Sequence, residues 1–294
     1  VALGRARESL ADYDRAISLA PKDASLLHAR ALARMKCGAL SKAREDLDAA
    51  VRLSPEDALV RLDRGLLLNR IGEPTLAIDD LDFVLAQRPN YAAALRARAA
   101  ARLACRQWRP ALDDYTRALE LEPGVWEAHV GRGRCWKELG PPEAAAPDFV
   151  EALRLNVRSA EAHRGLAEVR EAQGRWEEAA GCLERALELV AGAGDQVAEV
   201  VLNQNLAPML RRAGKSAQSL AAYERMGLAA QELGDHQRLA LALVGVGTLQ
   251  AEAGSLAPAL KNLAQAEAVY RELGQLTRAN QVREEIQRLE TRGA

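Results

Sequence analysis

PKDASLLHARALARMKCGALSKAREDLDAAVRLSP runs from Pro21 to Pro55, and PEDALVRLDRGLLLNRIGEPTLAIDDLDFVLAQRP runs on from Pro55 to Pro89. The two stretches align residue for residue at a spacing of 34, and Pro123 adds another rung. A fixed period of this size means one structural unit stacked many times, rather than one globular core. Each proline closes a helix and starts the next unit, because Pro cannot continue a helix interior.

Working outward from the ladder, further columns keep the same step. Gly4, Gly38 and Gly72 precede the prolines by seventeen residues, with Arg106 the exception, and glycine there suits a tight turn between two helices. Ser9, Ala43, Ala77 and Ala111 form a small-residue column, as do Ala16, Ala50, Val84 and Ala118. Tyr13, Leu47, Leu81 and Tyr115 stand between them. Small residues at helical spacing, with a large apolar residue between, let two helices approach closely. The columns outlast the prolines through Gly140, Ala145, Phe149 and Ala152, then Gly174, Ala179, Leu183 and Ala186.

This order of helix A, Gly turn, helix B and closing Pro resembles the tetratricopeptide repeat over almost the whole chain. The resemblance implies an all-α fold, a right-handed superhelical solenoid of antiparallel helix pairs. Residues 1–193 read as the 34-residue array, its first repeat truncated to helix B. From Gly174 through Gly214 to Gly254 the step becomes 40, and Glu232-Leu233-Gly234 recurs as Glu272-Leu273-Gly274. Residues 194–275 therefore read as longer repeats, the extra length assigned to helix B and the connection after it. Residues 276–294 read as a capping helix, within one continuous solenoid. The segment 191–199, with Gly192 and Gly194, reads as a connection inside the array. Ala2-Leu3-Gly4 reads as the tail of a helix A and its turn, so Leu10, Tyr13 and Ile17 would lack cover within their repeat. The sequence is accordingly expected to be a fragment of something longer. Pro147 and Pro208 break the local rules, each falling inside an expected helix, and Pro208 is expected to bend its helix A.

Composition narrows the function. Hydrophobic residues make up 49% and aromatics 4%, so Ala and Leu carry the packing, and the net charge is −1. That lacks the basic excess of a generic nucleic-acid or membrane-surface binder. No apolar run has membrane-spanning length, and a cytoplasmic location is expected. Cys37, Cys105, Cys135 and Cys182 form no CxxC pair and read as reduced thiols.

Catalysis finds little support. The histidines, His28, His129, His163 and His236, sit in no HExxH or ligand cluster, and no phosphate loop or GxSxG is present. His129 and His163 share one slot of neighbouring repeats, where the resemblance implies a packing side chain. Trp108, Trp176, Trp126 and Trp136 likewise read as packing residues at helix ends. Asp79-Asp80 and Asp113-Asp114 diverge by about 100° on a helix and read as surface carboxylates. No catalytic residue, cofactor or metal is expected.

One paired column is sharper. Arg30, Arg64, Arg98 and Arg132 on helix A each precede, by sixteen residues, Asp46, Asp80, Asp114 and Asp148 on helix B. In the sixth repeat both change, to Leu166 and Cys182. An Arg–Asp pair across each hairpin is expected, with register as its role. The alternative is two independent solvated columns.

The resemblance implies that partners bind along an inner, concave wall of A helices. Helical spacing puts His28, Leu32, Met35, Leu59, Leu62, Leu66, Asn69, Arg96, Leu103, Val130, Arg134 and Arg164 on that wall. Its first three sets are mostly apolar and its next two mixed in charge, which suits an amphipathic helix or an extended peptide with aliphatic anchors. The alternative is that neighbouring repeats cover the wall. The clamp that one subclass uses for chaperone C-terminal tails would need Lys, Asn, Asn, Lys and Arg. The matching slots hold His28, Leu32, Asp63, Ala93 and Ala97, and shifts by one or two repeats fit no better. The expected function is a non-enzymatic scaffold binding a protein or peptide, possible within a larger assembly. The alternative is a regulatory arm of an enzyme, such as a kinase, protease or nucleotide-switch protein, whose catalytic domain lies outside these residues. RNA binding is weakened by Glu127, Glu161, Glu168 and Glu171.

Overall fold

A computed structural model describes residues 2–192 and 194–293, with side chains from residue 9 to 291 apart from Ala193. Among these residues the secondary structure is helical throughout. The order is α1 (Ala2–Leu19), α2 (Ala24–Lys36), α3 (Leu40–Leu53), α4 (Ala58–Arg70), α5 (Pro74–Gln87), α6 (Ala92–Ala104), α7 (Trp108–Leu121) and α8 (Trp126–Leu139). A 3-10 turn at Pro142–Ala145 leads into α9 (Ala146–Leu155). Then follow α10 (Ala160–Ala172), α11 (Trp176–Ala191), α12 (Gln196–Arg212), α13 (Ser216–Glu232), α14 (His236–Glu252), α15 (Leu256–Glu272) and α16 (Leu276–Gly293). The fold is an all-α helical-repeat solenoid in which consecutive helices pack on one another from α1 to α8 and from α10 to α16. It divides into two compact units, one ending at Asp148 and the other starting at Phe149.

Turn chemistry explains the boundaries. At Gly38 (φ 77°) and Gly72 (φ 81°) the chain enters the left-handed region, and the next residue reaches back, Glu73 N donating to Leu68 O at 2.9 Å. This is the helix-ending motif that favours glycine. Arg106 adopts the same conformation (φ 58°), with Gln107 N donating to Arg102 O at 2.8 Å. The turn survives without glycine because flanking helices impose it, at a steric cost of about 1–2 kcal/mol. Gly140 departs from its column with extended backbone (φ −140°, ψ −171°). Pro141 follows it and has no N–H to close the motif.

Three local expectations are corrected. α1 is helical through Gly4. Pro147 is the second residue of α9, in the first turn, where its missing N–H costs nothing. The extra length of the 40-residue repeats enters both helices: helix A grows from 13 residues in α10 to 17 in α12, and helix B from 14 in α7 to 17 in α13. The connections stay short. α12 runs as one helix through Pro208.

The core lies between the A and B helices. Ala43, Leu47, Ala50, Ala77, Leu81 and Val84 are fully buried, as are Ala179 and Ala186 in the second unit. Glycines on helix A receive the large residues of helix B. An added Cβ at Gly131 would stand 2.2 Å from the Tyr115 ring, at Gly165 2.3 Å from Phe149, and at Gly245 2.6 Å from Tyr223. Each such pair joins a helix B to the helix A after it. α16 begins 40 residues after α14, in the slot of a helix A, and buries Ala279, Val282 and Leu289 against the preceding pair.

Candidate functional site

In the first unit helix A and helix B are joined by charge. Arg30 Nε donates to Asp46 Oδ2 at 3.0 Å and its Nη2 to Oδ1 at 2.6 Å. Arg64 makes the same fork on Asp80 at 2.7 and 2.8 Å, and Arg98 on Asp114 at 2.9 and 2.6 Å. Arg132 grips Asp148 through Nε at 2.9 Å and Nη2 at 2.7 Å. The four carboxylates are buried and the arginines partly exposed. The remaining guanidinium nitrogen reaches the previous helix B, Arg30 to Asp14 at 2.7 Å, Arg64 to Asp48 at 3.0 Å and Arg98 to Asp82 at 2.6 Å. Each of these arginines therefore ties two successive B helices.

Every buried aspartate also takes another donor, from alternating slots. Arg34 serves Asp46 at 2.7 Å, Arg61 serves Asp80 at 3.1 Å, Arg102 serves Asp114 at 2.8 Å and His129 lies 3.0 Å from Asp148. Where one slot holds the donor, the other holds Leu27, Leu68, Leu95 or Trp136. His129 and Arg61 also reach the carbonyls of Pro123 and Pro55, at 3.1 and 2.7 Å. His129 is thus a polar tie as well as a packing residue. Asp79 and Asp113 are free of this network, so adjacent carboxylates have different fates. The columns Asp14, Asp48, Asp82 and Arg34, Arg102 carried the signal for the added partners, being spaced by 34 and 68.

The A-helix wall separates into buried and open positions. Leu59 and Leu66 are 47% and 40% exposed. His28, Leu32, Met35, Asn69, Arg96 and Arg164 are half-buried, and Arg134 is exposed. Leu62, Leu103 and Val130 are buried in the protein's own packing and are unavailable to a partner. Leu62 joins the cluster holding Ala94, Leu95 and Ala97, because its side of α4 faces the next helix A. Polar contacts brace the wall: His28 Nε2 lies 2.6 Å from Asp63, and Asn69 Nδ2 donates to Ala97 O at 2.8 Å. Arg96 pairs with Glu122.

The second unit has no counterpart of the Arg–Asp fork among its described residues. At the matching slots stand Leu166 and Cys182, Leu206 and Ala222, and Val246 and Asn262. Instead Asn262 Nδ2 donates to Gln250 Oε1 at 2.8 Å. Trp176 receives the Arg212 guanidinium 4.4 Å above its ring.

Burial pushes the Cys135 thiol up to about 12 and raises Cys182 as well, which makes both poor nucleophiles. Burial lowers His163, whose Nε2 is 3.0 Å from Val157 O. Among the described residues no three His, Cys, Asp or Glu side chains converge to hold a metal, and no helix is long and apolar enough to cross a membrane.

Family models described as tetratricopeptide repeat match residues 1–58, 28–92 and 158–226. No curated protein matches the sequence. A solved tetratricopeptide repeat protein from Parabacteroides merdae is 20% identical, covers 88% of this chain and 98% of its own, and superposes with a TM-score of 0.57. A chain of the APC/C hetero-tetramer Cut9-Hcn1 is 16% identical, covers 93% of this chain and 52% of its own, with a TM-score of 0.64. At these identities the likeness is one of fold. With the matched segments spanning more than half of its length, the chain belongs to the tetratricopeptide repeat proteins.

Proposed function

We propose that this chain is a non-enzymatic interaction scaffold that binds a peptide or a partner subunit along the A-helix wall of its first unit. The observation that carries the reading is the exposure of Leu59 and Leu66 on α4, 47% and 40%, beside half-buried Leu32 and Met35 on α2. Aliphatic side chains a helical turn or two apart on adjacent helices offer spaced contacts to an amphipathic helix. Bracing by the His28–Asp63 and Asn69–Ala97 contacts fixes the spacing before a partner arrives, which lowers the ordering cost of binding.

The test is the pair L59E/L66E, both at exposed positions. Partners are captured from lysate by the wild-type chain and by this variant, with helicity checked by circular dichroism. Loss of a captured protein at unchanged helicity supports the wall. Identical capture by both chains refutes it. Leu62 is left intact, because a charge there would disrupt the core.

A further inference from the structure

A groove of about 430 Å³ lies in the second unit between α13 and α15, floored by α14. Glu224 stands at one edge, Val246 on the floor, and Gln250, Asn262 and Gln265 along the other side. Counting from the left-handed turn residues Gly72, Arg106, Gly214 and Gly254, this groove has a register twin in the first unit. Glu224 corresponds to Asp82, Val246 to Arg98, Asn262 to Asp114, Gln250 to Arg102 and Gln265 to Arg117. Asp82, Arg98, Asp114 and Arg117 also line one groove, between α5 and α7.

The twin shows what this site is built to hold. In the first unit the Arg98 guanidinium bonds Asp82 at 2.6 Å and Asp114 at 2.9 and 2.6 Å. In the second unit the acceptors remain in kind: Glu224 keeps a carboxylate, and Asn262 keeps an oxygen, its Nδ2 being spent on Gln250. The arginine between them has become Val246. The side chain of the groove at the Leu85 slot is also gone, replaced by Gly227. Leu228, 66% exposed, and Leu243 give the groove apolar walls.

We propose that this groove binds an arginine side chain of a partner peptide, which occupies the place of the missing internal guanidinium. The partner's guanidinium donates to the Glu224 carboxylate and to Asn262 Oδ1, while aliphatic residues beside it rest on Leu228, Leu243 and Val246. Arginine is preferred over lysine because its planar fork can meet two acceptors on different helices at once. The apolar floor selects a peptide in which the arginine has aliphatic neighbours. The site lies in other helices than the Leu59 and Leu66 wall, so the two readings stand or fall separately.

The test uses a fluorescein-labelled peptide with one arginine between leucines, and the same peptide with neutral citrulline in its place. Fluorescence anisotropy on the whole chain is expected to show the arginine peptide binding roughly tenfold or more tightly than the citrulline peptide, as befits a charge-assisted bond. V246R/N262D restores the internal pair and is expected to abolish binding, whereas L59E/L66E leaves it intact. Glu224→Gln, at an exposed position, is expected to weaken it even if the double variant fails to fold. Equal affinity for the two peptides, no binding of the arginine peptide, full binding by E224Q, or a folded V246R/N262D that still binds would each overturn the proposal. So would loss of binding in L59E/L66E with binding retained in V246R/N262D, a result that leaves the wall standing.

Discussion

The α6–α7 hairpin and the longer α14–α15 hairpin share one helix–turn–helix plan with different chemistry across it. In the first, Arg98 forks onto a buried Asp114 and Arg102 adds a further donor. In the second, Val246 replaces the arginine and the Arg102–Asp114 bond becomes a neutral bond between Gln250 and Asn262. Both hairpins nevertheless form, and Gly247 admits Leu263 with an implied Cβ contact of 2.8 Å. The ladder is therefore not what makes helix A pair with helix B. A buried ion pair is weak evidence for net stability, since desolvation offsets much of the attraction. Its geometry is suited to another task. A planar fork satisfied only at one offset penalises a helix that slides by a turn, and the alanine-rich faces of α6 offer little else to resist sliding.

The largest expected effect breaks one rung. Asp80→Leu leaves Arg64 and Arg61 without their buried acceptor and is expected to cost about 3 kcal/mol. That is the lower end for a broken buried pair, because the Arg64 side chain keeps 21% of its surface in water. R64M/D80L is expected to recover most of the loss. Asn262→Leu, the equivalent change in the second unit, should cost no more than about 1 kcal/mol. Urea midpoints followed by circular dichroism check this, and equal losses for D80L and N262L would erase the distinction between the units.

A smaller effect should be common to both units. Gly131→Ala and Gly245→Ala each drive a methyl into a tyrosine ring and are expected to cost about 2 kcal/mol. Tyr115→Leu and Tyr223→Leu should relieve the respective clash. Gly181→Ala, where nothing lies within 4 Å, is expected to stabilise by about 0.5–1 kcal/mol. If thermal melts show Gly131→Ala to be neutral, the tight ring contact is not a constraint.

Smallest is the turn. Arg106→Gly removes a left-handed non-glycine residue and is expected to raise stability by about 1 kcal/mol. Gly254→Arg should lose about as much in the second unit. Melting temperatures that move in the same direction for both would contradict the reading of these turns.

Period and turn residues made most of this legible beforehand. The helices end where the proline and glycine columns say, because those residues act locally, through a missing N–H or a left-handed φ. The departures arose where a neighbour decided. Gly140 lost its turn to Pro141, and Pro147 became harmless because a 3-10 turn absorbed the start of its helix. On the wall, helical spacing gave the face of each A helix but not how far the next A helix covers it, so Leu62, Leu103 and Val130 are buried while Leu59 and Leu66 are open. The Arg–Asp column was visible as two aligned rows, but the alternation of the further donor needed three-dimensional proximity, since Arg34 and Arg61 lie in different slots.

The aromatic–glycine contacts bear on whether these repeats could be shuffled. Tyr115 faces Gly131, Phe149 faces Gly165 and Tyr223 faces Gly245, each pair spanning two successive repeats. At these three junctions the repeat carrying the aromatic is followed by one carrying the matching glycine, whereas Tyr13 is followed by Ala29 in that slot. A leucine placed ahead of Gly131 would leave a void, and an alanine in place of Gly131 would press on the Tyr115 ring. Units that look interchangeable in outline thus carry, at these three junctions, an address for their successor written in side-chain volume.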